Sequence, residues 1–279
     1  MNTPFHPDFR TGHMQTGGSI VGDVRLHCGV PSVPLGNQRD IVVWLPPGYW
    51  EDRQRRYPVL FLNDGQNVFD NRTSAFGVDW GFDHYGDVLA RAGEIEPCIM
   101  VGIYNTDARM AEYTPPWSDR PGTGNVESYA TFVVAELKPF IDATYRTLPD
   151  RNGIVGSSLG GLCALYLGFR HPTLFTRVGA VSPSLWFGQG MLLRIIDEAQ
   201  GLRGPERLWI CAGTHEGRRP GSDFSYTIAG IRRLRELLEA KGYAEGWSLF
   251  YHEAEGGRHD EASWSLRVPH LLRALYPSR

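Results

Sequence analysis

The chain has 279 residues, of which 42% are hydrophobic and 21% charged, and its formal net charge is -3. This composition is typical of a globular protein, and the length fits one large domain without requiring two. The weak net charge gives no electrostatic reason to expect a nucleic acid or an acidic membrane surface as a partner. We therefore predict a single domain over residues 1–279, with residues 1–20 as an irregular N-terminal segment.

The chain has no apolar run of transmembrane length, and residues 1–22 lack the hydrophobic core of a signal peptide. A cytoplasmic protein with no membrane partner is expected. Its cysteines, Cys28, Cys98, Cys163 and Cys211, lack the spacing of metal ligands. The last three lie in or beside apolar runs and are predicted to be buried thiols, whereas Cys28 is expected to be exposed.

Apolar runs of strand length alternate with amphipathic segments of helix length along the chain. This alternation predicts an α/β fold, with a mostly parallel central sheet and helices on both faces. The predicted strands are 21–27, 41–45, 59–62, 98–104, 153–156, 178–181, 208–212 and 248–252. The first two are expected to pair antiparallel at one edge of the sheet.

Three segments have the apolar periodicity of helices: 126–142, 224–241 and 261–275. Pro139 is expected to kink or shorten the last turn of the first helix, and Gly242 to end the second. Ahead of these helices, residues 106–124 are rich in proline, glycine and aromatic residues. Long irregular segments in compact domains are usually functional loops, so a loop or lid is predicted there.

The sequence GSSLG at 156–160 lies between a predicted strand and an apolar segment at 162–169 that resembles a helix. In this order of strand, turn and helix, a G-x-S-x-G pattern indicates a nucleophile elbow. The small flanking residues let the strand and helix approach each other, and the turn raises the hydroxyl of Ser158 to the rim of the sheet. A simple connecting turn is the alternative interpretation, and the histidine and acid that follow make it the weaker one.

A serine hydroxyl is a poor nucleophile at neutral pH and needs a base, which in turn needs a group that fixes its tautomer. His259 follows the last predicted strand, at the end of the sheet where open parallel sheets bind ligands. It is the predicted base. His252 within that strand, His215 beside the candidate acid and His270 inside the last helix suit the role less well.

Glu216 follows the predicted strand 208–212 and is the predicted acid. Asp223 is the alternative, although it directly precedes a helix, where a role as N-cap is the simpler explanation. The order serine, acid, histidine is that of the α/β-hydrolases. An oxyanion hole needs backbone donors, and we predict the N–H of Leu159, next to the nucleophile, and the N–H of Gln66, in the turn after strand 59–62.

Several aromatic side chains occupy loops expected around the site. They are Trp80, Tyr113, Trp117, Trp186 and Phe187. As a set they favour a bulky or aromatic substrate, although ordinary packing explains each one singly. Arg109 in the same loops is a candidate to bind an anionic group of the substrate. The predicted substrate-binding residues are thus Trp80, Trp117, Trp186 and Arg109.

The chain also contains a series of further motifs. They are VWLPPGY at 43–49, YPVL at 57–60, DGQN at 64–67, ELKPFID at 136–142, GSSLGG at 156–161, SPSLW at 182–186 and GRHD at 257–260. Through these motifs, residues 39–276 resemble the putative esterase family of α/β-hydrolases. That family includes feruloyl and acetylxylan esterases, enterochelin-type siderophore esterases, S-formylglutathione hydrolase and mycolyltransferases.

The resemblance implies an α/β-hydrolase fold and a serine carboxylic ester hydrolase. It supports Ser158 as nucleophile, Glu216 as acid and His259 as base. Asp64 stands where many members have histidine, and Glu216 stands where many have aspartate, which implies a longer reach to the histidine. The implied reaction passes the acyl group through Ser158 to water without a metal or organic cofactor.

The expected substrate is a small-molecule ester that is bulky, aromatic or sugar-linked, such as a feruloyl, acetyl-sugar or siderophore-like ester. An acyltransferase or a thioester hydrolase would use the same three residues. A catalytically inactive binding protein of the same fold would be expected to lack one of them, and all three are present.

Overall fold

The computed structural model describes residues 18–116, 124–198, 204–218 and 224–278, and the backbone of residues 11–13. A nine-stranded sheet forms the centre of this part of the chain. Its strands are β1 Thr11–His13, β2 Asp23–Ser32, β3 Asn37–Leu45, β4 Tyr57–Asn63, β5 Ile99–Ile103, β6 Thr147–Ser157, β7 Phe175–Val181, β8 Arg207–Gly213 and β9 Leu249–Ala254. Across the sheet they lie in the order β1-β2-β3-β5-β4-β6-β7-β8-β9.

The strands β5, β4, β6, β7, β8 and β9 are parallel to one another, and β5 pairs antiparallel with β3 on its other side. Strands β1, β2 and β3 form an antiparallel edge. The predicted α/β fold and its antiparallel edge strands are therefore confirmed. Strand β1 lies within residues 1–20, which were expected to be irregular. The sequence did not predict this strand, because three residues are too few to show a periodicity.

Helices cover both faces of the sheet. They are α1 Phe82–Arg91, α2 Arg109–Glu112, α3 Val126–Thr131, α4 Lys138–Thr144, α5 Leu159–Arg170, α6 Met191–Glu198, α7 Tyr226–Ala240, α8 Glu261–Ser265 and α9 Val268–Leu275. Alternate residues of a strand point to opposite faces, so Val59 and Phe61 of β4 pack in one apolar core with α3 to α7. Leu60 and Leu62 pack in the other core, with α1, α8 and α9.

Two of the predicted helices, over 126–142 and 261–275, contain a proline and differ from the observed helices in their bounds or continuity. The helix predicted over 126–142 continues through a π-helical segment, Phe132–Leu137, into α4 and ends at Thr144. The expectation that Pro139 shortens it is wrong, because the helix runs past its predicted end. The π-helical segment directly before α4 interrupts the regular hydrogen bonding near the point where Pro139 lacks an N–H. The helix predicted over 261–275 is divided into α8 and α9, and Pro269 lies in the first turn of α9.

The remaining sequence expectations concern burial and membrane contact. Cys98, Cys163 and Cys211 are buried and Cys28 is exposed, as predicted. Across the described ranges, every helix is too short or too polar to cross a lipid bilayer. The carboxyl ends of the parallel strands meet at one edge of the sheet, and the candidate site lies there.

Candidate active site

Ser158 lies at the junction between β6 and α5, in the turn that the sequence predicts as a nucleophile elbow. Its backbone has φ 53° and ψ -121°, a strained conformation for a residue with a side chain. Its N–H donates to the carbonyl of Val181 at 3.0 Å, and its carbonyl accepts from the N–H of Ser184 at 3.0 Å. These bonds hold the strained turn against the end of β7.

The glycines of the elbow are required by close backbone approach. A Cβ on Gly156 would lie 2.3 Å from the carbonyl oxygen of Gly160, too close for any side chain. A Cβ on Gly160 would lie 3.0 Å from a carboxylate oxygen of Asp64. The elbow therefore packs against its own helix and against the turn that follows β4.

His259 and Glu216 complete a continuous hydrogen-bonded chain with Ser158. His259 Nε2 lies 3.0 Å from Ser158 Oγ, and His259 Nδ1 lies 3.0 Å from Glu216 Oε2. The two hydrogen bonds fix the orientation of the imidazole, since Nδ1 donates to the carboxylate and Nε2 is left to accept from the serine hydroxyl. The structure brings these three predicted residues together from the ends of β6, β8 and β9.

The loops that carry the acid and the histidine pack on each other through glycines. A Cβ on Gly213 would lie 2.2 Å from the carbonyl oxygen of Gly257. The backbone N–H of His215 donates to that same carbonyl at 3.0 Å. This close approach brings Glu216 within reach of His259 despite their separation of 43 residues in the chain.

The Glu216 carboxylate is buried, with 1% of the residue exposed. Its Oε1 accepts from Ser182 Oγ at 2.7 Å, from the N–H of Gly213 at 2.7 Å and from both terminal nitrogens of Arg267 at 3.2 Å. Burying a carboxylate is costly unless it is paired and hydrogen-bonded. These donors compensate the burial of the carboxylate, and Oε2 is left for His259.

Ser182 and Arg267 are functional residues that the sequence reasoning missed. Ser182 has φ 48°, and its hydroxyl donates to Glu216 while it accepts from Trp264 Nε1 at 3.1 Å and from Arg267 Nη1 at 3.0 Å. Trp264 in turn packs edge-on against the His259 ring, with centroids 4.9 Å apart. The SPSLW motif at 182–186 was a signal for Ser182, whereas Arg267 resembles an ordinary helix-face arginine.

The predicted oxyanion donors lie in the elbow and in the turn after β4. Leu159 is the first residue of α5, where an N–H has no acceptor within the helix and points out of its N-terminus. Gln66 lies in the 3₁₀ turn Gly65–Asn67. Asn63, just before that turn, donates from Nδ2 to the carbonyl of Gly160 at 2.9 Å. The turn that carries the Gln66 N–H is thus bonded to the elbow.

Arg109, a predicted substrate-binding residue, is paired within the protein. Its guanidinium donates to both carboxylate oxygens of Asp64, at 2.6 and 2.7 Å. Burial alone would lower the pKa of Arg109, but the bonds to Asp64 outweigh it and raise that pKa. Asn105 also donates to Asp64, at 2.6 Å. The charge of Arg109 therefore compensates Asp64, which lies where the family often has histidine.

The predicted substrate-binding aromatic residues have different positions. Trp186 is 57% exposed and follows Ser184, whose Oγ lies 3.3 Å from Ser158 Oγ. Trp80 is 4% exposed and packs in the core against Trp264, with ring centroids 5.5 Å apart. Trp80 is therefore buried behind Trp264, which packs against His259, and it does not lie on an open surface. Trp117 lies outside the described residues.

Two of the alternative bases, His252 and His270, lie together at the β9 side of the sheet. His252 and His270 stack on each other with centroids 6.1 Å apart, and His252 stacks on Trp209 at the β9 side of the sheet. Burial lowers the pKa of His252. Asp223 lies outside the described residues. Within the described part of the chain, no group of three or more acidic, histidine or cysteine side chains is placed to hold a metal ion.

The sheet order, with a serine elbow between a central parallel strand and its helix, defines an α/β-hydrolase. A solved structure of a ferulic acid esterase has the same fold, with a TM-score of 0.69 at 19% identity over 96% of this chain and 99% of that one. This similarity shows the fold.

Sequence comparison gives the family. The family model described as putative esterase matches residues 32–275. The uncharacterized protein YbbA of Bacillus subtilis is 24% identical over 86% of this chain and 93% of its own length. The ferri-bacillibactin esterase BesA of the same organism is 30% identical over 57% of this chain and 60% of its own length. The chain belongs to the putative esterase family, and its class is that of the carboxylic ester hydrolases.

Proposed function

We propose that the protein hydrolyses a carboxylic ester through an acyl-enzyme on Ser158, with His259 as base and Glu216 as the orienting acid. The observation that carries this proposal is the unbroken chain of hydrogen bonds from Ser158 Oγ through both ring nitrogens of His259 to Glu216. A base in direct contact with the hydroxyl is what a serine nucleophile requires.

In the first half of the reaction, Ser158 Oγ bonds to the carbonyl carbon while His259 Nε2 takes its proton. The carbonyl oxygen gains negative charge, and the backbone N–H groups of Leu159 and Gln66 stabilise it. The C–O bond to the alcohol then breaks, and His259 returns the proton to the alcohol oxygen. Glu216 stabilises the imidazolium between these transfers.

In the second half, His259 takes a proton from a water molecule that attacks the acyl carbon. The bond between that carbon and Ser158 Oγ breaks, the free acid leaves, and the proton returns to Ser158. The exposure of the His259 side chain, 42%, gives water access to the base. This access supports hydrolysis over transfer to an alcohol acceptor, which requires a site that excludes water.

The proposed substrate is a bulky or aromatic ester. Trp186 comes two residues after Ser184, whose hydroxyl lies 3.3 Å from that of the nucleophile, and its ring is exposed. An exposed ring in this loop is suited to stacking on a large acyl group. The similarity to a ferri-bacillibactin esterase also favours a bulky ester over a short alkyl one. A panel of feruloyl, acetyl-sugar and siderophore esters tests this part of the proposal.

The test of the catalytic proposal is the hydrolysis of 4-nitrophenyl acetate by wild-type protein and by Ser158→Ala. The variant should lose about 10⁴-fold or more in kcat, since the nucleophile is removed. Ser157→Ala is the matched control, because Ser157 is the adjacent serine and is buried in β6. It should retain activity within about threefold, because the hydroxyl that bonds to His259 is that of Ser158. Retention of a tenth of the wild-type rate by Ser158→Ala would rule out the proposed nucleophile.

A further inference from the structure

A cavity of about 290 Å³ opens beside the base of the proposed triad. It is lined by Phe76, Val78, His259, Asp260, Glu261 and Ala262. Phe76 is 76% exposed and Val78 is 42% exposed, so the cavity has an apolar wall that faces solvent. Exposed apolar side chains grouped beside a reactive centre are typical of a ligand-binding surface.

The apolar wall is held in place by the turn that follows β4. Asn67, the last residue of that 3₁₀ turn, accepts the N–H of Ala75 on its side-chain oxygen at 3.0 Å. Its backbone oxygen accepts the N–H of Trp80 at 2.9 Å. These two bonds flank Phe76 and Val78 in the chain. A wall that is ordered before the ligand arrives lowers the entropic cost of binding.

The chemistry of the proposed reaction determines which half of an ester lies next to this cavity. The acyl carbon becomes bonded to Ser158 Oγ. The alcohol oxygen, in contrast, receives its proton from His259 Nε2 and must come within hydrogen-bond reach of that atom. The group attached to the alcohol oxygen therefore extends from His259, which lines the cavity.

Besides His259, the ionisable side chains among the described lining residues are two acidic ones, Asp260 and Glu261. Asp260 is the N-cap of α8, and its Oδ1 accepts the N–H of Ser263 at 2.8 Å. Glu261 is 6% exposed, and burial raises the pKa of its carboxyl group. An anionic ligand would approach the Asp260 side chain without an arginine or lysine in the described part of the cavity wall to compensate it. The raised pKa of Glu261 disfavours its charged form and makes it the weaker source of repulsion.

We propose that this cavity binds the alcohol half of the ester. It favours an alcohol with an apolar group, and it favours a neutral or positively charged alcohol over a negatively charged one. The inference rests on the proposed esterase function and deepens it by assigning the alcohol side of the substrate. Phe76 and Val78 are the specificity-determining residues for size, and Asp260 and Glu261 are those for charge.

The size arm of the test compares kcat/KM for ethyl acetate and benzyl acetate, which share one acyl group, by release of acetate. Phe76→Ala should lower the value for benzyl acetate about tenfold, the factor expected for lost apolar contact in a specificity pocket. Val78→Ala should lower it about threefold, because less apolar surface is removed than in Phe76→Ala. Ethyl acetate should change less than about twofold in both variants, and Phe76→Leu should retain most of the selectivity.

Trp247→Ala is the matched control for the loss of an exposed aromatic ring. Trp247 is 78% exposed and precedes β9, so it lies at the end of that strand opposite to His259. Its replacement should leave the ratio of benzyl to ethyl acetate unchanged. Because Phe76 is also largely exposed, its variants should melt at the wild-type temperature, and this measurement separates selectivity from folding.

The charge arm compares 4-(acetoxymethyl)benzoate with its methyl ester, which differ in one negative charge far from the reacting carbon. The anionic ester should be hydrolysed about fivefold more slowly, the size of a modest electrostatic repulsion near a surface. Asp260→Asn should narrow this gap while it keeps α8 capped, since asparagine is as good an N-cap as aspartate. Glu261→Gln should narrow the gap less, because burial raises the pKa of that carboxyl group and disfavours its charged form.

The outcomes separate the subsite from the esterase function. Hydrolysis of the esters with an unchanged benzyl-to-ethyl ratio in both Phe76→Ala and Val78→Ala would overturn the apolar assignment alone. A charge gap that neither acidic substitution alters would overturn the charge assignment. Absence of 4-nitrophenyl acetate hydrolysis by the wild-type protein would overturn the esterase function and this subsite together.

Discussion

The two ends of the Ser158–His259–Glu216 chain differ in how they are held. At one end, the Glu216 carboxylate is buried and accepts hydrogen bonds from Ser182, Gly213 and Arg267 as well as from His259. At the other end, the imidazole is 42% exposed and faces a half-buried serine. The acid end is fixed by the protein alone, whereas the nucleophile end is open to substrate and water.

This difference shows where the site needs order and where it needs access. The acid must keep one charge state and one position, so the fold surrounds it with donors that are already oriented. The nucleophile must meet a variable partner, so the fold restrains its backbone and leaves its side chain accessible. Substitutions at the closed end should therefore affect both catalysis and stability, and those at the open end should act mainly on catalysis or selectivity.

The largest effect is expected from Glu216→Gln at the closed end. An amide cannot stabilise the imidazolium and can donate to Nδ1, which favours the wrong tautomer of His259. We expect kcat for 4-nitrophenyl acetate to fall about 10⁴-fold, as when an orienting acid is replaced by its amide. Glu236→Gln, on the exposed surface of α7, is the control and should leave kcat unchanged. A loss below tenfold in Glu216→Gln would argue against Glu216 as the acid.

The next effect is on stability and comes from Arg267→Met. The side chain of Arg267 is 4% exposed and that of Glu216 is fully buried, so the substitution leaves a buried carboxylate without its cation. The free energy of unfolding should fall by about 3–5 kcal/mol, as for other broken buried ion pairs. Urea denaturation measures this change. In a Glu216→Gln background the same substitution should cost much less, and equal costs in the two backgrounds would contradict the pairing.

A smaller effect is expected at the open end from Arg109→Gln. The substitution leaves the Asp64 carboxylate uncompensated beside Gly160, close to the donors that stabilise the oxyanion. A negative charge there opposes the charge that develops in the transition state, and kcat should fall about tenfold, or ~1.4 kcal/mol. Adding Asp64→Asn should restore most of the loss. A double variant as slow as the single one would show that Arg109 acts in another way.

The sequence predicted the main strands along the chain, the antiparallel edge and the three residues that meet at the end of the sheet, because each has a signal in its neighbouring residues. The order of the strands across the sheet was not predicted, since it depends on tertiary packing. The GSSLG elbow and the positions of Glu216 and His259 after apolar strands depend on a few neighbouring residues each. Arg267 has no such signal, since it reaches Glu216 across 51 residues of chain. Its role follows only from the packing of the last helices on the ends of the parallel strands.

The aromatic residues around the site show the same limit. Trp80 and Trp186 were both predicted to lie in loops around the site. In the structure, Trp80 is buried against Trp264 and Trp186 is exposed. Phe76, which lines the cavity beside His259, was not singled out because an isolated apolar residue in a loop has no periodicity. The burial of single loop side chains depends on tertiary contacts, which a sequence pattern does not specify.

The most direct test of the central claim is mass spectrometry of the intact protein after reaction with a fluorophosphonate, which phosphonylates an activated serine and displaces fluoride. One adduct should form, peptide mapping should place it on Ser158, and the rate of labelling should fall steeply in His259→Ala and in Glu216→Gln. An adduct on a different residue, or equal labelling rates in the wild-type protein and both variants, would contradict a serine activated by His259 and Glu216.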